Sequence, residues 1–366
     1  MISMYGPGSV PARINSVRTT PMTHYALLIQ SGFGKADAEA ARQLCLAEFA
    51  AMSRLLSRPA EETEYSAIGG VPVVLFRAAG PLSEADGALL RRLSFFYGLF
   101  EVAELAGRKA LLPVELPDSR YFPDHLGSML KYAGKTNERF TRMMINLATS
   151  ACRTGNEGVP RLLDPMCGKG TTLFETLVDG MDVSGVEITR SYWQEAQSYL
   201  VKFLEMGRYK HKASSETVPD KKGRKLGDVF LLTMANNKAD FDAGNVRTLR
   251  LVHGDSKHTG LFFKRASHDM LVCDLPYNVQ HEGKGAGAGR EDLAKLLDQC
   301  LPGWCLALKP GGSAALSFNE HTLKRTAVEE TLERHGFQVL RDAPFGGCPH
   351  RVDQGIKRDF VVAVKS

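Results

Sequence analysis

The spacing of apolar and polar residues changes at Pro117. Before it, short apolar runs typical of strands stand at 24–30, 68–77 and 111–116, and the second is predicted to be a pair of strands that turns at Gly69–Gly70. Apolar positions at helical spacing stand at 37–56 and 83–104. This order predicts a small β-α-β-β-α-β unit, an α+β domain over residues 23–117. Residues 1–22 show neither period and are predicted to form a disordered tail.

After a connector that begins at Pro117, strands and helices alternate. Thr136 or Asn137 is predicted to cap a helix that runs to about Cys152. The predicted strands are 161–163, 183–186, 248–253, 270–273, 313–318, 337–341 and 360–364. The later predicted helices are 171–179, 191–206, 291–308 and 322–335. Alternation of this kind favours a Rossmann-like α/β domain over 118–366, with a mostly parallel seven-stranded sheet covered by helices on both faces.

One segment carries as much net positive charge as the whole chain. The formal net charge is +5, and residues 207–225 alone hold seven Lys or Arg against two Asp or Glu. The segment shows no hydrophobic period, so 207–228 is predicted to be a polar insertion that cannot fold by itself. A solvated loop and a flexible arm for nucleic-acid phosphates are both open interpretations.

Cysteine usage and hydropathy exclude several classes of protein. The seven cysteines include no Cys-x-x-Cys pair, so a disulfide framework, a zinc ribbon and a bound metal are all disfavoured. No run approaches the ~20 apolar residues of a membrane helix, and no secretory signal is expected in the first 24 residues. A cytoplasmic protein with reduced thiols is the prediction.

The segment Asp164–Thr172 (DPMCGKGTT) joins a short apolar strand to a helix. Gly168 and Gly170 lack a Cβ, so the backbone can turn sharply and a ligand can approach it closely. The third glycine of the dinucleotide fingerprint and the Gly-x-x-x-x-Gly-Lys phosphate loop are both absent. NAD and nucleoside triphosphates are therefore disfavoured, whereas a nucleoside without phosphates stays open, as does an ordinary turn.

Two acids follow the next strands. Glu187 comes 23 residues after Asp164 and ends the strand at 183–186. An acid at this position can accept hydrogen bonds from ribose hydroxyls. Asp255 follows the strand at 248–253 and can accept a hydrogen bond from an adenine amino group, although it can equally cap a polar turn.

The segment Asp274-Leu275-Pro276-Tyr277-Asn278 follows a fourth apolar strand. A carboxylate at the carboxyl end of a central strand points into the crevice where open α/β sheets bind ligands. Pro276 fixes the turn, and Tyr277 offers a planar face on which a nucleobase can stack. These parts suit an exocyclic amino group. The glycine-rich stretch at 283–289 is expected to be a mobile loop beside the substrate entrance.

Taken in order, these motifs resemble those of class I S-adenosylmethionine-dependent methyltransferases. Asp164–Thr172 is similar to the Asp-Pro-x-Cys-Gly-x-Gly-Thr form of their first motif, and Asp274–Tyr277 to the Asp/Asn-x-Pro-Tyr motif of amino-group methylases. More narrowly, 118–366 resembles the THUMP-linked tRNA guanosine 2-amino methyltransferases. Relatives of that group carry a ferredoxin-like element, which 23–117 could match. Leu275 replaces a proline common in DNA amino-methyltransferases, which favours RNA.

The resemblance implies S-adenosyl-L-methionine as cofactor, held in three parts. Asp164, Gly168 and Gly170 would hold its methionine end, Glu187 its ribose and Asp255 its adenine. The residues of the implied cofactor site are Asp164, Met166, Cys167, Gly168, Gly170, Thr171, Thr172, Glu187, Ile188, Asp255 and Ser256.

The resemblance also implies the catalytic residues and the substrate. Asp274, the Pro276 carbonyl and Tyr277 would hold the target base, and Phe318 and Asn319 would end the fifth strand near the same pocket. The implied reaction is methylation of an exocyclic amine in tRNA or rRNA, with the guanine 2-amino group first.

Three other functions share these residues. They are a DNA amino-methyltransferase acting on adenine or cytosine, a non-catalytic nucleic-acid-binding module, and a small-molecule amine methyltransferase. Methylation of a cytosine ring carbon is disfavoured because neither Cys167 nor Cys273 lies in a Pro-Cys nucleophile motif.

Overall fold

A computed structural model describes residues 21–30, 38–128, 137–155, 158–220, 222–277 and 289–366. The helices are α1 (Ala38–Met52), α2 (Glu84–Arg91), α3 (His125–Ser128), α4 (Glu138–Ala151), α5 (Thr171–Val178), α6 (Arg190–Met206), α7 (Lys238–Asp242), α8 (Thr259–Phe262), α9 (Gly289–Ala307) and α10 (Arg325–Arg334). The strands are β1 (Met22–Ile29), β2 (Glu61–Ile68), β3 (Val71–Ala79), β4 (Phe96–Leu105), β5 (Arg108–Pro113), β6 (Arg161–Asp164), β7 (Asp182–Glu187), β8 (Lys210–Pro219), β9 (Lys225–Ala235), β10 (Arg247–His253), β11 (His268–Asp274), β12 (Leu308–Asn319), β13 (Phe337–Leu340), β14 (His350–Arg351) and β15 (Lys357–Lys365). The predicted tail up to residue 20 and the glycine-rich stretch up to residue 288 lie outside the described residues.

The first part of the chain forms an antiparallel sheet in the order β2-β3-β1-β4-β5. The predicted turn at Gly69 and Gly70 joins β2 to β3, with φ of +58° and +81° that glycine adopts most easily. The helix predicted over 83–104 is wrong in its second half. A capping box between Ser83 and Asp86 starts α2, which ends at Arg91, and the aromatic run that follows forms β4 beside β1. A short apolar run has no period that separates a helix from a strand.

The second part of the chain forms a mixed sheet in the order β13-β15-β12-β11-β6-β7-β10-β9-β8, with β14 paired to β15. Its five central strands are parallel, and numbered along the chain their order is 3-2-1-4-5 from β10 to β12. That is the Rossmann order, and it reverses between β6 and β11. The prediction of seven strands is wrong, because the described residues place ten in this sheet.

Two of the three additional strands, β8 and β9, come from the basic insertion and the apolar residues after it, and the third is the short β14. Instead of a polar arm, β8 and β9 form an antiparallel hairpin, and β9 pairs with the edge of β10. Phe230, Leu232 and Met234 of β9 are buried in the main core. Apolar residues just beyond the charged segment therefore anchor it to the sheet.

Helix α4 connects the two sheets. Asn137 caps it by accepting hydrogen bonds from the N–H groups of Arg139 and Phe140. Its buried residues share one core cluster with Leu44 and Ala51 of α1. Glu48 of α1 is fully buried and accepts a hydrogen bond of 2.6 Å from Asn146 Nδ2 of α4. The small sheet thus packs against the large one through both apolar and polar contacts.

Candidate active site

The glycine loop lies between the end of β6 and the start of α5. Gly170 has φ of +93°, and a Cβ there would lie 2.9 Å from the ring of Phe174. Gly168 also has positive φ, +52°. Residues with a side chain rarely adopt this backbone conformation, so the turn requires glycine at both positions. The N–H of Cys167 donates to the Val186 carbonyl at 3.0 Å and fixes the loop to β7.

Glu187 ends β7 and contacts this loop directly. Its Oε2 accepts a hydrogen bond of 2.8 Å from the N–H of Gly168, and its Oε1 accepts one of 2.6 Å from the N–H of Thr189. The next residue, Ile188, is 65% exposed although it is apolar. A carboxylate and an exposed apolar side chain therefore adjoin the glycine loop, an arrangement that fits the ribose and the flat base of a nucleoside.

Asp164 is a buried carboxyl group in the cleft with a strongly raised pKa. It is buried at the end of β6, and burial raises its pKa to about 7, with the charges of Asp274 and Glu187 adding to the rise. Hydrogen bonds from Thr172 and from the N–H of Met166 partly oppose this. Three carboxyl groups that repel each other's charge make the cleft a suitable place for a cationic ligand.

The residues after β10 divide between the surface and the core. Asp255 caps the short helical turn Ser256–His258 and accepts a hydrogen bond of 3.0 Å from the N–H of Lys257. The Ser256 hydroxyl lies in the core, where it accepts a hydrogen bond of 3.0 Å from Trp304 Nε1. The structure therefore gives the Ser256 side chain a packing contact with α9 rather than a place in the cleft.

Asp274 ends β11, beside the glycine loop that follows the neighbouring strand β6. Ser317 of β12 donates to its Oδ1 at 2.6 Å. The Tyr277 hydroxyl lies 3.2 Å from each of its carboxylate oxygens. The Ser317 and Tyr277 hydroxyls thus both donate to the Asp274 carboxylate. These hydrogen bonds hold the carboxylate in place and keep Asp274 and Tyr277 facing each other.

Arg358 completes this network, and the sequence motifs did not identify it. It is 5% exposed, on β15, and both Nε and Nη2 donate to the Tyr277 hydroxyl, the Nε bond at 2.9 Å. Its guanidinium lies 4.6 Å from the Phe140 ring centroid and 5.6 Å from that of Tyr277. Since arginine only donates, the phenol oxygen accepts here and its own hydrogen donates to Asp274. The signal for Arg358 in the sequence is its place two residues before the apolar strand predicted at 360–364, within what the structure shows as β15.

Phe318 and Asn319 do end a strand at this edge, but their side chains make structural contacts outside the cleft. Phe318 is buried in the core beneath the sheet. Asn319 donates to the Gly355 carbonyl at 3.0 Å and accepts from the N–H of Lys357 at 3.1 Å. Its amide therefore holds the loop before β15, the strand that carries Arg358.

All of these groups lie at the carboxyl edge of the parallel strands. The Rossmann order reverses between β6 and β11, so the crevice falls between Asp164 and Asp274. Glu187, His253, Asp228 and Thr217 form one row across four strands, and the turn of the β8–β9 hairpin extends beyond that row. The hairpin turn thus reaches the edge of the sheet that carries the candidate site.

The strand order and this crevice give the chain a Rossmann-like fold with a mixed sheet. No protein-family model and no curated protein matches the chain. Among solved structures, it is similar to TrmN from Thermus thermophilus, with 14% identity, 94% of this chain and 100% of that chain covered, and a TM-score of 0.47.

Two further solved structures show the range of these similarities. An rRNA methylase from Streptococcus thermophilus is 9% identical, over 57% of this chain and 88% of that chain, with a TM-score of 0.33. Magnesium protoporphyrin IX methyltransferase from Synechocystis PCC 6803, solved with bound S-adenosylmethionine, is 13% identical over 66% and 89%, with a TM-score of 0.37.

Two further findings concern membrane spans and metal ions. None of the described helices is long and apolar enough to cross a membrane. Within the part of the chain that the structure describes, no group of three or more His, Cys, Asp or Glu side chains could hold a metal ion.

Proposed function

We propose that this protein is an S-adenosylmethionine-dependent methyltransferase that methylates an exocyclic amino group of a nucleobase in RNA, with the guanine 2-amino group as the first candidate. The observation that carries the proposal is the placement of Asp274. Its carboxylate, held by Ser317 and Tyr277, ends the strand next to the glycine loop that follows Asp164. An acceptor for an amine and a cleft for a nucleoside thus adjoin each other.

The residues at hand fit the cofactor. Glu187 would accept hydrogen bonds from the ribose hydroxyls, Ile188 would pack on the adenine and Asp255 would accept from its amino group. The cleft acids Asp164 and Glu187 suit a cation. When bound, S-adenosylmethionine supplies a methyl group on a positively charged sulfur, which leaves as a neutral thioether.

The chain's own residues would do the rest by positioning. The lone pair of an exocyclic amine is delocalised into the ring, so the amine is a poor nucleophile. Hydrogen bonds from the amino group to Asp274 and to the Pro276 carbonyl would draw the nitrogen toward tetrahedral geometry and localise its lone pair, and Tyr277 would hold the base by stacking. Such positioning can supply ~7–11 kcal/mol. The amine that gains a methyl loses a proton, and Asp274 is the base at that position.

Support for RNA comes from the hairpin turn and from the cost of base extraction. Arg224 and Lys225 have side chains that are 74% and 57% exposed at the turn that reaches the site edge. They can contact phosphates beside the target. An unpaired RNA base avoids most of the unstacking cost that a duplex imposes, so we propose single-stranded tRNA or rRNA segments as substrates, in the cytoplasm.

We further propose two domains. Residues 23–117, with the order β-α-β-β-α-β followed by β5, form a ferredoxin-like domain that presents RNA. Residues 118–366 form the catalytic domain.

The test is methyl incorporation from labelled S-adenosylmethionine into total RNA and into genomic DNA. Label in RNA alone supports the proposal, and digestion to nucleosides identifies the base. Label in DNA alone would contradict RNA as the substrate and would support a DNA amino-methyltransferase. Cofactor binding without transfer to either would indicate a non-catalytic module or a small-molecule enzyme.

A further inference from the structure

On one face of the large sheet, the strands β7, β10 and β9 are covered near the carboxyl edge and border a groove toward the amino edge. Near the carboxyl edge, Val186, Val252 and Val229 are buried in one cluster with Phe262 of α8. Helix α8 has only four residues. Toward the amino edge of the same strands, this short helix leaves a groove of about 720 Å³.

The floor of this groove consists mostly of polar side chains in register across neighbouring strands, with Leu231 among them. Lys212, Thr233 and Thr248 form one row across β8, β9 and β10. Ser214, Leu231, Arg250 and Ser184 form the next row. A parallel sheet usually packs both faces against helices and is apolar on each. Here the floor offers hydroxyl groups and cations instead.

The groove carries an excess of positive charge. Its lining includes Arg161, Lys212, Arg250 and Lys264, with Glu216 as the one carboxylate among the described lining residues. Arg250 pairs with Glu216 at 2.6 Å, and Arg161 pairs outside the lining with Asp182 at 3.2 Å. Lys212 and Lys264 are exposed, and neither has a carboxylate within 4 Å among the described residues.

The remaining wall adds no charge of its own. His268 is buried, its Nε2 lies 2.9 Å from Ser184 Oγ, and burial lowers its pKa to about 3. The imidazole is therefore neutral at physiological pH. Phe262 and Phe263 are 3% and 8% exposed, so they offer a nucleobase little surface for stacking. Cations with hydroxyl donors and no aromatic platform suit phosphates rather than bases.

We propose that this groove binds the phosphodiester backbone of the RNA substrate at a distance from the methylated base. The inference rests on the proposed function and names a second contact surface for the same substrate. His268 in the groove and Asp274 in the site are six residues apart on β11, which corresponds to ~20 Å along a strand. The two surfaces therefore contact different nucleotides, and the groove contributes affinity without reading sequence.

The experiment compares RNA affinity at several salt concentrations for the wild type and for Lys212→Ala with Lys264→Ala. Removing two phosphate contacts should reduce the slope of log affinity against log salt by about 1.4, because each contact to a single strand contributes ~0.7. The matched control replaces Lys202 on α6 and Lys295 on α9, both exposed and outside the groove. The control should keep the wild-type slope. Cofactor affinity, measured by calorimetry, should be unchanged in both double variants.

The outcomes separate this inference from the proposed function. A wild type that methylates RNA, together with a groove variant of unchanged slope, overturns the groove and leaves the function intact. A wild type that neither binds nor methylates RNA overturns both. A reduced slope that is the same for RNA of unrelated sequences supports backbone binding, whereas a loss confined to one sequence contradicts it.

Discussion

At the scale of single residues, hydrogen-bond direction is fixed from Arg358 to Asp274. Arg358 donates to the Tyr277 hydroxyl, Tyr277 can then only donate onward, and Asp274 receives that hydrogen together with the one from Ser317. A residue on another strand, Arg358, therefore sets the direction in which the Tyr277 hydroxyl donates and helps to hold the Asp274 carboxylate in place.

Breaking this chain should slow methyl transfer without weakening cofactor binding. In Tyr277→Phe, the ring and its packing stay while one donor to Asp274 is lost, so kcat should fall ~10–100-fold. Arg358→Met should produce the same loss, and the double variant should add little. An unchanged kcat in Arg358→Met would give Arg358 only a structural role.

The pKa of Asp164 predicts how the cofactor is distinguished from its product. S-adenosylmethionine carries one positive charge more than S-adenosylhomocysteine and favours an ionised Asp164, whose pKa burial raises to about 7. The affinity for S-adenosylmethionine relative to that for S-adenosylhomocysteine should therefore rise between pH 6 and pH 8, by at most tenfold per pH unit. Calorimetry with both ligands measures the ratio, and Asp164→Asn should remove its pH dependence. A ratio constant with pH in the wild type would contradict this assignment.

Residue types and spacing identified the glycine loop and the acids after three strands, because each stands beside an apolar run. They could not identify Arg358, which is 81 residues from Tyr277 along the chain. Its contact exists only because β15 inserts antiparallel beside β12. The family resemblance also placed Ser256 with the cofactor, since the sequence does not show that Trp304 donates a hydrogen bond to its hydroxyl.

At the scale of elements, alternating apolar runs predicted the five parallel strands, most of whose residues are buried. The hairpin was missed because β8 is exposed along nearly its whole length and has no apolar alternation. Its partner β9 is apolar, but the charged segment before it dominated the composition. An edge strand that packs on one side only leaves a weak trace in the sequence.

The hairpin is therefore expected to be part of the folded core. Met234→Ala should lower the free energy of unfolding by about 2–5 kcal/mol, since Met234 is fully buried in β9. Ser215→Ala on exposed β8 is the control and should change it by less than ~0.5 kcal/mol. Equilibrium denaturation measures both. Equal stability of Met234→Ala and the wild type would mean that the hairpin is detached from the sheet.

At the scale of the whole molecule, Glu48 links the two sheets through a buried polar contact. Ser94 donates to it through its N–H at 2.8 Å and also through its hydroxyl, and Asn146 donates from α4. Burial raises the pKa of Glu48 to about 7, and these hydrogen bonds partly oppose the rise. The folded protein therefore holds a proton between about pH 4.5 and 7 that the unfolded chain releases.

The contribution of this contact between the two sheets to stability therefore depends on pH. The free energy of unfolding should fall as pH rises from 5 to 7, and the contribution of Glu48 should be roughly 3 kcal/mol. Glu48→Gln removes the titration and should flatten that part of the curve. Glu39→Gln, an exposed change on the same helix, should leave it unchanged. An unaltered slope in Glu48→Gln would show that Glu48 does not titrate in this range.

The central claim is that Asp274 accepts a nucleobase amine beside a cofactor held by the β6 and β7 loops. The most direct measurement is the single-turnover rate of methyl transfer from labelled S-adenosylmethionine to total RNA, for the wild type and Asp274→Asn. We expect transfer to RNA by the wild type and a loss of ~10²–10⁴-fold in Asp274→Asn at unchanged cofactor affinity. Transfer by Asp274→Asn at the wild-type rate would contradict the account.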